Sequence, residues 1–65
     1  MKTIGEKLKE LRLNADLSQA EFSKIINVTP SAIGMYEQDR RVPRDEIKKR
    51  ISNFYSISVD NIFFT

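Results

Sequence analysis

Ser18 and Thr29 both suit the start of a helix, and they stand so close in the chain that the helix between them must be short and must leave by an abrupt turn. Ser18 precedes Glu21 at capping-box spacing, where hydroxyl and carboxylate satisfy the open amide groups of a first turn. Thr29 precedes Pro30, which falls at the first helical position, where a missing amide hydrogen costs nothing. Asn27 tolerates the left-handed backbone that ends a helix sharply. Two short helices joined this way cross steeply and share only a small contact, so few side chains can hold them together. Counting from Gln19 as position one, positions four, eight, ten, fifteen and eighteen must be apolar, and they are Phe22, Ile26, Val28, Ile33 and Tyr36. Position five must be small and is Ser23, while position nine must accept left-handed backbone and is Asn27.

The flanking sequence supplies further helices. Thr3 and Glu6 form another capping box around Ile4, with Leu8 and Leu11 following at helical spacing, which predicts a first helix to about Asn14. The second helix carries Phe22, Ile25 and Ile26 on one face and ends near Asn27. The third buries Ile33 and Tyr36 and closes in the exposed run Gln38, Asp39, Arg40 and Arg41. Past Pro43, Asp45 and Glu46 favour the start of a fourth helix, whose buried face is Ile47, Ile51, Phe54 and Tyr55. Ser58 caps a short fifth helix holding Val59, Ile62 and Phe63. No stretch alternates long enough to compete as a strand. The expectation is an all-α, compact five-helix fold forming a single domain over residues 1–65.

Composition narrows the function. A chain of 65 residues buries a modest fraction of its surface, and with no Cys or His it has neither disulfides nor zinc ligands. Its stability must come from packing, with dimerisation as a possible help, and no metal or cofactor is expected. No apolar run approaches the roughly 18 residues of a membrane span, and the N-terminus lacks the apolar core of a secretory signal. A cytoplasmic protein without a membrane partner is therefore expected. The net charge of +2 says little about partners. Its distribution says more: Arg40, Arg41, Arg44, Lys48, Lys49 and Arg50 face only Asp45 and Glu46 within one short stretch. A solvated helix face with its preceding loop would explain that stretch equally well.

The spacing of Gln19 to Tyr36 resembles the Cro/C1 repressor type of helix-turn-helix domain, the XRE family of bacterial and phage regulators. The resemblance runs from Ile4 to Phe63, through LKELR (Leu8 to Arg12), LSQAEF (Leu17 to Phe22), the Tyr36 and Glu37 pair, Pro43, and ISVDNIF (Ile57 to Phe63). It implies a lambda-repressor-like DNA-binding domain with its helix-turn-helix at about residues 18–37. Four positions depart from the family pattern, which commonly has Ala at Ser23, Gly at Asn27 and Asn-Gly at Gln38 and Asp39. Ser23 is expected to bond a carbonyl one turn back. Asp39 lacks the freedom of glycine, so the loop after helix 3 is expected to differ in shape, and its acid to weaken a loop facing phosphates.

The resemblance also assigns roles. Helix 3 enters the major groove with the face left by Ile33 and Tyr36, namely Pro30, Ser31, Ala32, Gly34 and Met35. That face carries no Arg, Gln or Asn to pair two-fold with a purine, leaving Ser31 to hydrogen-bond and Pro30, Ala32 and Met35 to meet thymine methyls. Weak direct readout is expected, supplemented by DNA shape and bridging water. Gln19 matches the family glutamine that touches the DNA backbone and braces the reading helix. Thr29, Gln38, Arg40, Arg41 and Arg44 are the further expected phosphate contacts, with only some of Lys48, Lys49 and Arg50 approaching. Arg12 and Glu37 commonly pair in the family, and the pair either orients Arg12 toward a phosphate or is a purely structural salt bridge.

The expected function is a sequence-specific transcriptional regulator, a repressor, with double-stranded DNA as its partner. An enzyme is disfavoured, because the carboxylates are scattered and neither His nor Cys is present. The alternative is an antitoxin or protein-interaction module on the same fold, which steep salt dependence of DNA binding would distinguish. Ile62, Phe63 and Phe64 crowd the end of the chain, so a homodimer through this region is expected, with reading helices about 34 Å apart. The competing reading is that Phe63 closes the monomer core.

Overall fold

A computed structural model describes residues 1–64. Five helices follow one another: α1 (Ile4–Asn14), α2 (Gln19–Ile26), α3 (Pro30–Glu37), α4 (Asp45–Tyr55) and α5 (Val59–Phe63). Local chemistry sets most of the boundaries. Thr3 and Ser18 each close a capping box, with Glu6 and Glu21 returning to the cap amide. Thr29 and Ser58 accept from the amides of Ala32 and Asn61. Asn27 ends α2 in the left-handed region at φ 58 and ψ 53.

Helix α1 packs on α3 and α5, α2 on α3 and α4, and α4 on α5. Leu8, Phe22, Ile26, Ala32, Ile33, Tyr36, Ile51, Ile62 and Phe63 form the core, with Ile51 fully buried at its centre. Burial of such a side chain stabilises by about 1.5–3 kcal/mol, and every helix contributes to this one cluster. Ile4, Leu11, Leu17, Val28, Ile47, Tyr55, Ile57 and Val59 pack around it half-buried.

The C-terminal residues differ from expectation. Ile62 and Phe63 are core residues, 3% and 5% exposed, because Ser56 turns the chain through the left-handed region and returns α5 across α1 and α4. Of the crowded C-terminal residues only Phe64 is exposed, and its ring lies 4.8 Å from the Lys48 ammonium. The apolar surface that motivated a C-terminal homodimer is thus largely consumed within the monomer. Ile25 and Phe54, expected on buried faces, are exposed, and the Phe54 ring is tilted against Phe22 and edge-on to Tyr55, with ring centres at 5.7 and 5.0 Å.

Asp39 also behaves differently, taking the left-handed conformation at φ 58 that a glycine would take. Its carboxylate compensates for the strain by accepting from the Gly5 amide at 2.8 Å, in the first turn of α1. The acid is thereby turned toward a helix N-terminus. Gly5 is what allows this approach: a Cβ there would lie 2.5 Å from the Glu37 carbonyl and 2.7 Å from that of Tyr36. No helix among the described residues is long and apolar enough to cross a membrane.

Candidate nucleic-acid interface

Ahead of the turn between α2 and α3 stands Ser23 of α2, whose small side chain is 2% exposed and donates to the Ala20 carbonyl at 2.7 Å. The Val28 amide reaches back to the Ser23 carbonyl at 2.9 Å, so Asn27 in its left-handed conformation closes the helix tightly. Thr29 then restarts the chain, its hydroxyl accepting from the Ala32 amide at 3.1 Å. This fixes the direction in which α3 leaves the core.

Helix α3 divides cleanly between core and surface. Ala32, Ile33 and Tyr36 point inward, whereas Pro30, Ser31 and Met35 are exposed and Gly34 lies between; Gln38, just past the helix, is exposed. Gln19, Pro30, Ser31, Gly34, Met35, Gln38 and Arg40 surround a shallow recess on this outer face. Ala32 departs from expectation: at 7% exposure it faces the core and is not offered to the groove. Adjacent positions on a helix differ by about 100°, so for a residue next to the buried Ile33 the packing of the helix decides which way it faces.

Arg12 is also below the surface. Its Nε and Nη2 donate to the Glu37 carboxylate at 2.6 and 3.1 Å, and its Nη1 donates to the Leu17 carbonyl at 2.8 Å. The hydrogen bond to Glu37 holds the guanidinium above its usual pKa against the opposing effect of burial. With those groups engaged and the side chain 8% exposed, Arg12 ties α1, α3 and the α1–α2 turn together in the free protein. Gln19 joins the cluster by donating from Nε2 to Glu37 Oε1 at 3.2 Å.

The basic residues separate into engaged and free. Arg40, Arg41 and Arg44 are exposed beside the C-terminal end of α3 and ahead of α4, and form no ion pair among the described residues. A second recess between α3 and α4 is bordered by Thr29, Arg41, Arg44 and Arg50. Arg50 donates to the Ile26 carbonyl at 3.0 Å and to Glu46 at 2.6 Å, so it satisfies the end of α2 and braces that helix against α4. Lys48 lies over the Phe63 and Phe64 rings at 5.5 and 4.8 Å, leaving Lys49 as the more open member of its run.

Sequence reasoning missed Gly5, Asp39 in its bonding role, and the brace formed by Arg50. Arg50 and Glu46 stand at the spacing of a helical ion pair, a signal that could have flagged their engagement. The approach of Gly5 to α3 left no local signal, because it depends on how two distant helices pack.

Comparison with known proteins places this geometry. The sequence pattern of the helix-turn-helix family matches residues 8–62. The HTH-type transcriptional regulator ImmR of Bacillus subtilis (strain 168) is 33% identical over 58 residues, which cover 89% of this chain and 46% of ImmR. The HTH-type transcriptional activator BcrR of Enterococcus faecalis is 33% identical over 59 residues, covering 91% of this chain and 29% of BcrR. The matched part therefore spans less than half the length of either relative. The P22 c2 repressor, solved in complex with synthetic operator 9T, has the same fold: TM-score 0.92 over 98% of this chain and 97% of that one, at 23% identity. With the motif and most of the chain matched, this protein belongs to the helix-turn-helix family of Cro/C1, or XRE, type.

Proposed function

We propose that the chain is a sequence-specific DNA-binding transcriptional regulator, a repressor, that places the outer face of α3 in the major groove. The observation that carries this reading is the division of α3. Its inner residues are spent on the core, while Pro30, Ser31 and Met35 stay exposed beside three arginines without ion pairs. Ser31, Pro30 and Met35 would meet base edges. Thr29, Gln38, Arg40, Arg41 and Arg44 would meet phosphates on either side of the helix. Arg12 would act from below, by holding Glu37 and with it the end of α3.

Repression, as the sign of regulation, draws on the P22 c2 repressor, while one relative is named an activator. A promoter fused to a reporter decides it: expression that falls on adding the protein fits repression, and expression that rises removes it. DNA binding itself is tested by fluorescence anisotropy on mixed duplexes across a salt series. Affinity should fall steeply with salt, and the Arg40→Ala, Arg41→Ala double variant should bind more weakly, its log–log slope shallower by about 0.9 for each phosphate no longer neutralised. Absence of binding by the wild-type protein at low salt would refute the reading in favour of a protein partner.

A further inference from the structure

We infer that Gln19, a residue of α2, departs from the backbone contact implied by the family resemblance and is a specificity-determining residue that reads adenine across the gap above Gly34. The inference rests on the DNA-binding reading above and names the base that the site would prefer. Helix α3 offers the groove no amide or guanidinium in its middle, since Pro30, Ser31, Gly34 and Met35 occupy that face. The gap is filled from the neighbouring helix. A Cβ placed on Gly34 would lie 3.8 Å from both Nε2 and Oε1 of Gln19, so the carboxamide rests directly above this glycine. The same recess is lined by Ser31, Met35 and Gln38, which places the amide on the reading surface.

Its orientation is fixed by charge. A carboxylate only accepts hydrogen bonds, so the amide nitrogen must be the atom that faces Glu37, at 3.2 Å. Glu37 is itself immobilised by Arg12 through bonds of 2.6 and 3.1 Å, both side chains being more than nine-tenths buried. One amide hydrogen is thus committed, leaving Oε1 as an acceptor and the second N–H as a donor. In the major groove adenine presents an N6 donor beside an N7 acceptor, which complements that pair. Guanine presents two acceptors and would set one against Oε1, while cytosine and thymine cannot answer both groups. Gly34 matters because a large side chain there would stand between the carboxamide and an incoming base.

The experiment is selection of duplexes from a randomised pool by the wild-type protein and by Gln19→Ala, Gln19→Leu and Gly34→Leu, each first shown to melt cooperatively. The wild-type site should contain an adenine preferred by about tenfold. In all three variants that one position should lose its preference while the others keep theirs, with the salt dependence of binding unchanged for Gln19→Ala. Uniform weakening on every sequence, with no position losing its preference, would make Gln19 a phosphate contact and overturn the inference. So would an adenine preference that survives any of the variants. A wild-type pool without enrichment at any position would instead sink the sequence-specific DNA-binding reading itself.

Discussion

Arg12 near the end of α1 and Glu37 at the end of α3 form a two-point ion pair at 2.6 and 3.1 Å with both side chains buried. A pair taken out of water in this way gains little over an apolar replacement of both partners, yet breaking it from one side strands a charge. Glu37→Ala is therefore expected to cost about 3–5 kcal/mol of unfolding free energy. Urea denaturation followed by circular dichroism measures it, and an unchanged midpoint would refute the pairing. Arg12→Met with Glu37→Leu should be milder than Glu37→Ala alone, because no charge is left without its partner.

Gly5→Ala tests the close approach of α1 to α3. Alanine favours a helix interior over glycine by about 1 kcal/mol. Against that, the new Cβ would meet two backbone carbonyl oxygens at 2.5 and 2.7 Å, atoms that cannot rotate away. Overpacking of this kind costs about 1–3 kcal/mol, so a net loss of stability is expected. A higher melting temperature in the variant would show that the helices can part freely.

These two contacts mark how far the sequence was legible. Capping boxes, the Thr29–Pro30 start and the left-handed Asn27 were readable because each depends on residues within one turn of one another. Arg12 and Glu37 were paired through the family resemblance, but the depth of their burial follows from the packing of three elements. For Asp39 the sequence shows a missing glycine and an added acid, but not the distant Gly5 amide that supports its conformation. Ala32 shows the same limit on α3, where one helical step separates an exposed residue from a core residue.

Tyr55 gives the alkaline side of the stability profile. Its hydroxyl is buried and has no hydrogen-bond partner, and its ring packs on Phe22 at 5.5 Å. Burial pushes its pKa up to about 12, with Arg12 opposing the rise and Glu37 adding to it. A phenol whose folded pKa lies above its unfolded value favours folding below the unfolded value of 10.0, and that contribution is lost as pH rises through about 12. Stability should fall across this window and fall less in Tyr55→Phe, by melting at stepped pH. At neutral pH the same variant should be neutral or slightly stabilised, since it removes an unsatisfied hydroxyl. Equal alkaline losses in both proteins would assign the effect elsewhere.

Phe63 separates the two uses of the C-terminal aromatic residues. If it closed a dimer, Phe63→Ala would weaken association, and its cost would vary with protein concentration through mass action. Its 5% exposure and its place beside Ile51 and Ile62 in the core make the cost one of cavity formation within a single chain. About 3–5 kcal/mol is expected for such a truncation, large against the marginal stability of so small a domain. Denaturation midpoints of wild type and variant, measured over a hundredfold range of concentration, should differ by a constant amount. A difference that changes with concentration would mean that Phe63 acts across an interface, and the core assignment would fall.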